Sequence, residues 1–174
     1  MEPMATMDFA LTAYQGLVFG LLTLPICLWA AWTDIKEMKI RNNVVLALVV
    51  VYVVAGIVLF PFADWLWGFA GFAVVLVIGF VLSGTMGLGA GDAKFAAAMA
   101  PFVPLADVVQ VAYLYVAWSV LLIAGMAIVR RQNALRVAAP DWIWFQEDLR
   151  RHVPLGVGLA PTLSSYFFAA ALAG

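Results

Sequence analysis

The sequence predicts an all-α, polytopic membrane protein with six transmembrane helices. Of its 174 residues, 66% are hydrophobic and only 11% are charged, whereas a soluble domain has about 25% charged residues. Apolar runs of roughly 20 residues, the length that a helix needs to cross a bilayer, recur along the chain. If six segments cross, all nine lysines and arginines fall on one side, which by the positive-inside rule is the cytoplasmic side. We therefore expect one transmembrane domain over residues 1–174, with both termini outside the cytoplasm.

The first three predicted spans are long apolar runs at residues 11–33, 44–60 and 65–82. Within the first, Gly16 and Gly20 form a small-xxx-small pattern of the kind that lets two helices approach closely. Trp65 and Trp67 open the third span, where they suit the membrane interface.

The fourth predicted segment, residues 93–105, follows a glycine-rich stretch. At ~1.5 Å per residue it is too short to cross a bilayer comfortably. We therefore expect a short fourth helix that enters from a loop dipping into the protein. Irregular backbone at membrane depth needs cover from protein or a wet cavity, so the glycine stretch should line a pocket.

The fifth and sixth predicted spans, residues 107–129 and 153–172, are joined by a polar loop. Residues 141–151 in that loop carry aromatic and apolar residues at helical spacing. They suit either an interfacial helix that guides a membrane-bound substrate or a simple aromatic anchor.

Composition excludes several kinds of partner and site. The net charge of −1 gives no indication of a nucleic-acid partner. Cys27 is the one cysteine and His152 the one histidine, so neither a disulfide, a CxxC pair nor a histidine metal cluster is available within the chain. We expect no metal and no cofactor.

The most informative stretch surrounds Asp92. Gly87, Gly89 and Gly91 precede it at alternate positions, and glycine permits positive φ and close backbone approach. An acid at a membrane boundary is costly and is therefore a candidate functional residue. The alternative is that Asp92 only caps the next helix.

A second acid, Asp34, ends the first span and is predicted at the same membrane face. Two neighbouring carboxylates share one proton, so one can activate water while the other donates to a carbonyl, as in aspartyl proteases. The alternative is an ordinary acid in a charged turn. Helix dipoles favour charge on Asp92, at a helix start, and the proton on Asp34, at a helix end.

Three motifs resemble those of known membrane proteases. The segment from Gly89 to Asp92 is similar to the GxGD signature of intramembrane aspartyl proteases, and Lys94 extends it to the GDxK form. Asp34, with Ile six and Asn42 eight positions later, resembles the first-aspartate motif of type IV prepilin peptidases, although Arg41 stands where that family usually has proline. Pro154 and Gly156 resemble the Pro-x-Gly that opens the family's last helix.

This resemblance implies an aspartyl endopeptidase of the bacterial inner membrane with Asp34 and Asp92 as its catalytic pair. Gly89 and Gly91 would shape the loop that carries Asp92, and Lys94 would pair with a carboxylate or extend to the lipid headgroups. The implied substrates are prepilins with a basic leader and an apolar helix, cut at the cytoplasmic face. The substrate-binding residues that we expect are Asn42, Pro154 and Gly156.

Long members of that family carry an N-terminal cytoplasmic segment with paired CxxC motifs, and this sequence has no such motif. It therefore resembles the short, peptidase-only form that processes tight-adherence (Flp-type) pilins. The rival hypotheses are a small proton- or ion-coupled transporter or channel subunit with Asp92 on a broken helix, and a membrane scaffold protein. The particular pilin and the oligomeric state stay open.

Overall fold

The structure, a computed structural model, describes residues 9–86, 89–129 and 156–174. Two short 3-10 turns, Ala100–Phe102 and Leu105–Asp107, join the fourth helix to the fifth. No strand occurs within these ranges, so the all-α prediction is confirmed for them. The helices are α1 Ala13–Glu37, α2 Asn42–Leu59, α3 Phe62–Met86, α4 Ala90–Met99, α5 Val108–Val129 and α6 Gly156–Ala173.

Four helical segments are long and apolar enough to cross a membrane: α1, α2, α3 and the segment Leu105–Val129 that contains α5. The last helix, α6, is a shorter apolar helix. The protein is therefore a multi-pass membrane protein. The count of six spans and the location of the termini remain predictions.

The fourth segment is a short helix, as predicted, and it lies inside the helix assembly. α4 has 10 residues, which at 1.5 Å per residue is about 15 Å. Phe95, Ala97 and Ala98 on this helix are fully buried, because α4 packs against α2, α3 and α6. The two 3-10 turns, with a rise of about 2 Å per residue, extend the segment as far as α5.

α1 and α6 pack closely through the predicted small-xxx-small pattern. A Cβ atom at Gly16 would lie 2.7 Å from the Phe167 carbonyl oxygen, and one at Gly20 would lie 3.3 Å from the Phe168 ring. At Gly16 only a residue without a Cβ allows this approach, and at Gly20 a Cβ would require the Phe168 ring to shift by a few tenths of an ångström, so both glycines serve helix packing.

An aromatic cluster fixes the far end of the α4 segment. The Phe102 ring, in the first 3-10 turn, has its centroid 5.2 Å from those of Phe19 on α1 and Tyr52 on α2. It also lies 5.7 Å from the Phe167 ring on α6. Edge-to-face contacts of this kind stabilise beyond their buried area, so three helices, α1, α2 and α6, hold the end of the α4 segment in place.

A buried acid, Asp107, connects three parts of the chain at the start of α5. Its side chain is 1% exposed. The Tyr166 hydroxyl of α6 donates to it at 2.6 Å, and the Ala10 backbone N–H donates to both carboxylate oxygens, at 2.9 and 3.0 Å. A buried carboxylate needs such partners, so Asp107 holds the segment before α1 against α5 and α6.

Candidate active site

Asp34 lies in the last turn of α1, which continues past the predicted end of the span to Glu37. Its side chain is 2% exposed. The backbone N–H of Val157, in the first turn of α6, donates a hydrogen bond to the carboxylate. The other oxygen, Oδ2, accepts no hydrogen bond from any residue that the structure describes. Asp34 is thus a helical, buried acid and not part of an exposed charged turn.

The chain reverses direction directly after Asp34. Met38 takes a left-handed conformation, with φ 49° and ψ 39°, and its N–H donates to the Asp34 carbonyl oxygen at 2.9 Å. α2 then begins at Asn42, after Arg41, whose guanidinium pairs with Glu37 at 2.7 Å. The position where the family usually has proline therefore carries a surface ion pair next to the turn.

Asp92 is the third residue of α4, one turn after the N-cap residue Gly89. The predicted alternative, in which Asp92 is only a helix cap, is therefore wrong: Gly89 occupies the cap position. A Cβ at Gly89 would lie 2.8 Å from Asp92 Oδ2, so the carboxylate folds back over the cap. Burial raises the pKa of Asp92 to about 6.

Gly91 brings α4 against the turn that follows Asp34. A Cβ at Gly91 would lie 3.2 Å from the carbonyl oxygen and 3.3 Å from the nitrogen of Ile40. The expected positive φ is not found at Gly89, where φ is −57°, or at Gly91. These glycines permit close approach instead. Gly87 lies outside the described residues.

The two segments that carry the acids meet in three ways. The carboxylates of Asp34 and Asp92 lie close enough to interact electrostatically. The Gly91 backbone packs on Ile40, and Lys94 Nζ donates to Asn42 Oδ1 at 3.1 Å. For Lys94 the sequence predicts a carboxylate partner or extension to the headgroups. Its hydrogen bond joins it to the other motif instead.

The start of α6 completes the surroundings of Asp34. Gly156 begins this helix, and Val157 supplies the hydrogen bond described above. A helix N-terminus favours negative charge. Helix dipoles therefore give no basis for placing the proton on Asp34, because both acids lie beside a helix N-terminus. Pro154, His152 and the predicted interfacial segment 141–151 lie outside the described residues.

α5 contributes residues that the sequence did not indicate. Tyr115 lies within electrostatic range of Asp92 and hydrogen-bonds to Ser119 on the next turn. Both contact the first turn of α6 near Gly158. A tyrosine and a serine spaced by four in an apolar helix give no signal of their own, since the contact depends on how α5 and α6 pack.

This arrangement provides a pair of acids, Asp34 buried and Asp92 half-buried, that can share a proton. Such a pair can take a proton from water and donate one to a carbonyl group. Comparison with curated proteins and with solved structures gives no match. The model of the type IV leader peptidase family matches residues 8–128, which include both acids, Asn42 and Lys94. The chain therefore belongs to the type IV leader peptidase family, a family of peptidases.

Proposed function

We propose that this protein is a membrane aspartyl endopeptidase that removes the leader peptide of type IV prepilins, with Asp34 and Asp92 as its catalytic pair. The observation that carries the proposal is the electrostatic interaction between the buried carboxylate of Asp34 and the half-buried carboxylate of Asp92, which belong to different helices. Family membership supplies the reaction class.

In the proposed reaction, one carboxylate takes a proton from water as the water oxygen attacks the scissile carbonyl carbon. The other carboxyl group donates its proton to the carbonyl oxygen, which gives a neutral gem-diol. The diol then collapses: the C–N bond breaks, the first group protonates the leaving nitrogen, and the second regains a proton from a diol hydroxyl. General acid and base groups each contribute about 10²–10⁴-fold.

The neighbouring residues have supporting roles in this proposal. Gly89 and Gly91 allow α4 to carry Asp92 up to the turn after Asp34. The hydrogen bond from Lys94 to Asn42 ties α4 to α2 beside the acids, and Asn42, Pro154 and Gly156 would border the bound peptide. An extended peptide has free backbone donors and acceptors, which can pair with the Asn42 side-chain amide and with the backbone carbonyl groups of Pro154 and Gly156.

The proposed substrates are Flp-like prepilins, whose basic leader would lie in the cytoplasm and whose apolar helix would lie in the membrane. The asymmetric distribution of lysine and arginine supports a six-span topology in the bacterial inner membrane, with both acids at the cytoplasmic face. No cofactor takes part in this chemistry. The transporter hypothesis requires an ion site near the middle of the bilayer, and the position of Asp34 in the last turn of the long helix α1 speaks against it.

Leader removal in proteoliposomes tests the proposal. Wild type, Asp34→Asn and Asp92→Asn are reconstituted with candidate Flp-type prepilins, and the loss of the leader is followed on gels and by mass spectrometry. We expect both variants to leave the precursor uncut. Asp64→Asn is the matched control, because Asp64 is an exposed acid in the first turn of α3. Equal processing by wild type, Asp34→Asn and Asp92→Asn would eliminate the proposed function.

A further inference from the structure

The turn between α1 and α2 carries an ion pair that has no role in the mechanism above. Arg41 Nη2 donates to Glu37 Oε1 at 2.7 Å. The two side chains are 54% and 34% exposed, respectively. Water and dissolved ions compete with an ion pair that is this exposed, so the pair contributes little to stability. A different cation can therefore replace Arg41 at Glu37 at little cost.

Two contacts hold this ion pair next to the start of α4. Before Arg41 in the chain, Ile40 lies against Gly91, where a Cβ would be 3.2 Å from the Ile40 carbonyl oxygen. After Arg41, the Asn42 side chain accepts the hydrogen bond from Lys94 Nζ at 3.1 Å. Gly91 directly precedes the second candidate catalytic acid. The ion pair therefore belongs to the surroundings of the candidate site.

Glu37 also lies one turn from the first candidate catalytic acid. Asp34 and Glu37 are both in the last turn of α1, and residues at this spacing lie on the same side of a helix. They are about 4.5 Å apart along the helix axis, at 1.5 Å per residue. An extended peptide advances about 3.3 Å per residue, so a side chain within about three residues of a scissile bond at Asp34 can reach Glu37. In the proposed topology Glu37 lies on the cytoplasmic side of Asp34, which is the side of the leader.

The charges around Glu37 favour a basic partner at this one position. In residues 34–42, Lys36, Lys39 and Arg41 are exposed bases, and the other acid is buried. Glu37 is therefore the one solvent-accessible acid of this stretch, and complementary charge favours a base there. In the free protein Arg41 supplies that base, whereas proline, the usual residue of the family at this position, could not.

We propose that Glu37 binds a basic side chain of the prepilin leader near the scissile bond, and that Arg41 occupies Glu37 until this side chain replaces it. The inference rests on the proposed function, which supplies the basic leader. Glu37 is then a specificity-determining residue. Arg41 weakens the binding of the leader by competing for Glu37, which favours release of the leader after cleavage.

Kinetics with two substrates test this inference. One is a prepilin with a basic residue next to the scissile bond, and the other is the same prepilin with that residue replaced by glutamine. For the basic leader, Glu37→Gln should raise KM about twofold to fivefold, the range for an exposed ion pair, and Arg41→Gln should lower KM about twofold. Both variants should keep the wild-type kcat, because the contact is the same in the ground state and the transition state. With the neutral leader, both should keep the wild-type KM.

Lys39→Gln is the matched control for Arg41→Gln, because it removes the same charge from an exposed residue of the same turn. At about 0.15 M salt, which screens exposed charges beyond about 8 Å, it should keep the wild-type KM for both substrates. Asp64→Asn, a change of an exposed acid on α3, is the control for Glu37→Gln. An equal fall in KM for Lys39→Gln and Arg41→Gln would mean that net charge, and not competition for Glu37, sets leader affinity, which would overturn the inference.

Asp92→Asn, measured in parallel, separates the two proposals. If Asp92→Asn is inactive while Glu37→Gln has the wild-type KM for both substrates, the inference about Glu37 fails and the proposed function stands. If Asp92→Asn still cleaves, the proposed function fails, and the inference that rests on it fails with it.

Discussion

At the scale of single residues, Asp92 combines a charge with partial burial at the start of α4. Its folded-state pKa, raised by burial to about 6, lies above the ordinary value of 3.8. A raised acid pKa means that the folded protein binds the proton more tightly than the unfolded chain. The stabilisation from protonated Asp92 is therefore complete below about pH 4 and is lost as the pH rises through about 6.

This direction of the pH dependence of stability gives a prediction that needs no activity assay. The asparagine side chain in Asp92→Asn carries no charge at any pH. This variant should therefore unfold at a higher temperature than wild type at pH 8, and the difference in unfolding temperature should shrink at pH 4.5. Thermal unfolding in detergent measures both values. The exposed Asp64→Asn should show no such change between the two pH values. An unfolding temperature of Asp92→Asn below that of wild type at pH 8 would contradict the assigned burial of Asp92.

The functional role of a residue could be predicted from the sequence where that role depends on residue type. It could not be predicted where the role depends on a partner far away along the chain. The two acids could be predicted because an ionisable group is conspicuous in an apolar chain. The hydrogen bond from Val157 to Asp34 and that from Lys94 to Asn42 could not. Each depends on how two helices that are far apart in sequence approach each other.

At the scale of elements, the first turn of α4 packs against the backbone of the turn after α1. A Cβ at Gly91 would lie 3.2–3.4 Å from three atoms of Ile40, so Gly91→Ala should push α4 away by a few tenths of an ångström. Because a misplacement of about 1 Å can cost ~10²-fold in rate, we expect leader cleavage by Gly91→Ala to fall at least about tenfold. Cleavage assays on folded, monodisperse protein measure this.

Gly84→Ala provides the matched control for that substitution. Gly84 lies in α3, and a Cβ there would have no atom within 4 Å. Alanine also favours helix over glycine by about 1 kcal/mol, so this variant should be at least as stable as wild type and fully active. Wild-type cleavage by Gly91→Ala would show that the contact with Ile40 does not position Asp92.

Long apolar runs predicted the elements better than their connections. The described helices α1, α2 and α3 follow the predicted spans, since span length is fixed by the bilayer. The sequence did not indicate that α1 continues to Glu37 or that 3-10 turns extend the short α4 to α5. These features depend on local capping at Met38 and on packing of Phe102 among three other rings.

At the scale of the whole molecule, α1 separates two polar sites. Asp34 lies in its last turn, while Ala10, bound to Asp107, lies just before its first. The helix has 25 residues, about 37 Å at 1.5 Å per residue. The basic-residue pattern predicted that Asp107 and the two candidate catalytic acids lie on opposite sides. It could not predict that Asp107 is buried and hydrogen-bonded, because its partners come from the two ends of the chain.

This separation predicts that stability and catalysis can be changed independently. Tyr166→Phe removes the hydroxyl that donates to Asp107 at 2.6 Å and leaves the ring packed against Phe9 and Phe167. Losing a buried hydrogen bond to a charged group costs about 1.5–3 kcal/mol. We therefore expect a clearly lower unfolding temperature in detergent. Leader cleavage per folded molecule, measured well below that temperature, should stay within about twofold of wild type, because the acids are far from Asp107 along α1.

Tyr14→Phe is the matched control, since Tyr14 is 68% exposed on α1 and its hydroxyl should contribute little to stability. An unfolding temperature equal to that of wild type in Tyr166→Phe would mean that Asp107 is satisfied without this hydroxyl. A large fall in cleavage by folded Tyr166→Phe would instead mean that the two ends are coupled. Coupling has a physical route, because α6 carries both Tyr166 and Val157, the residue whose N–H binds Asp34. If α6 tilts as a rigid helix when Tyr166 loses its partner, the hydrogen bond to Asp34 shifts with it, and the cleavage rate reports that tilt.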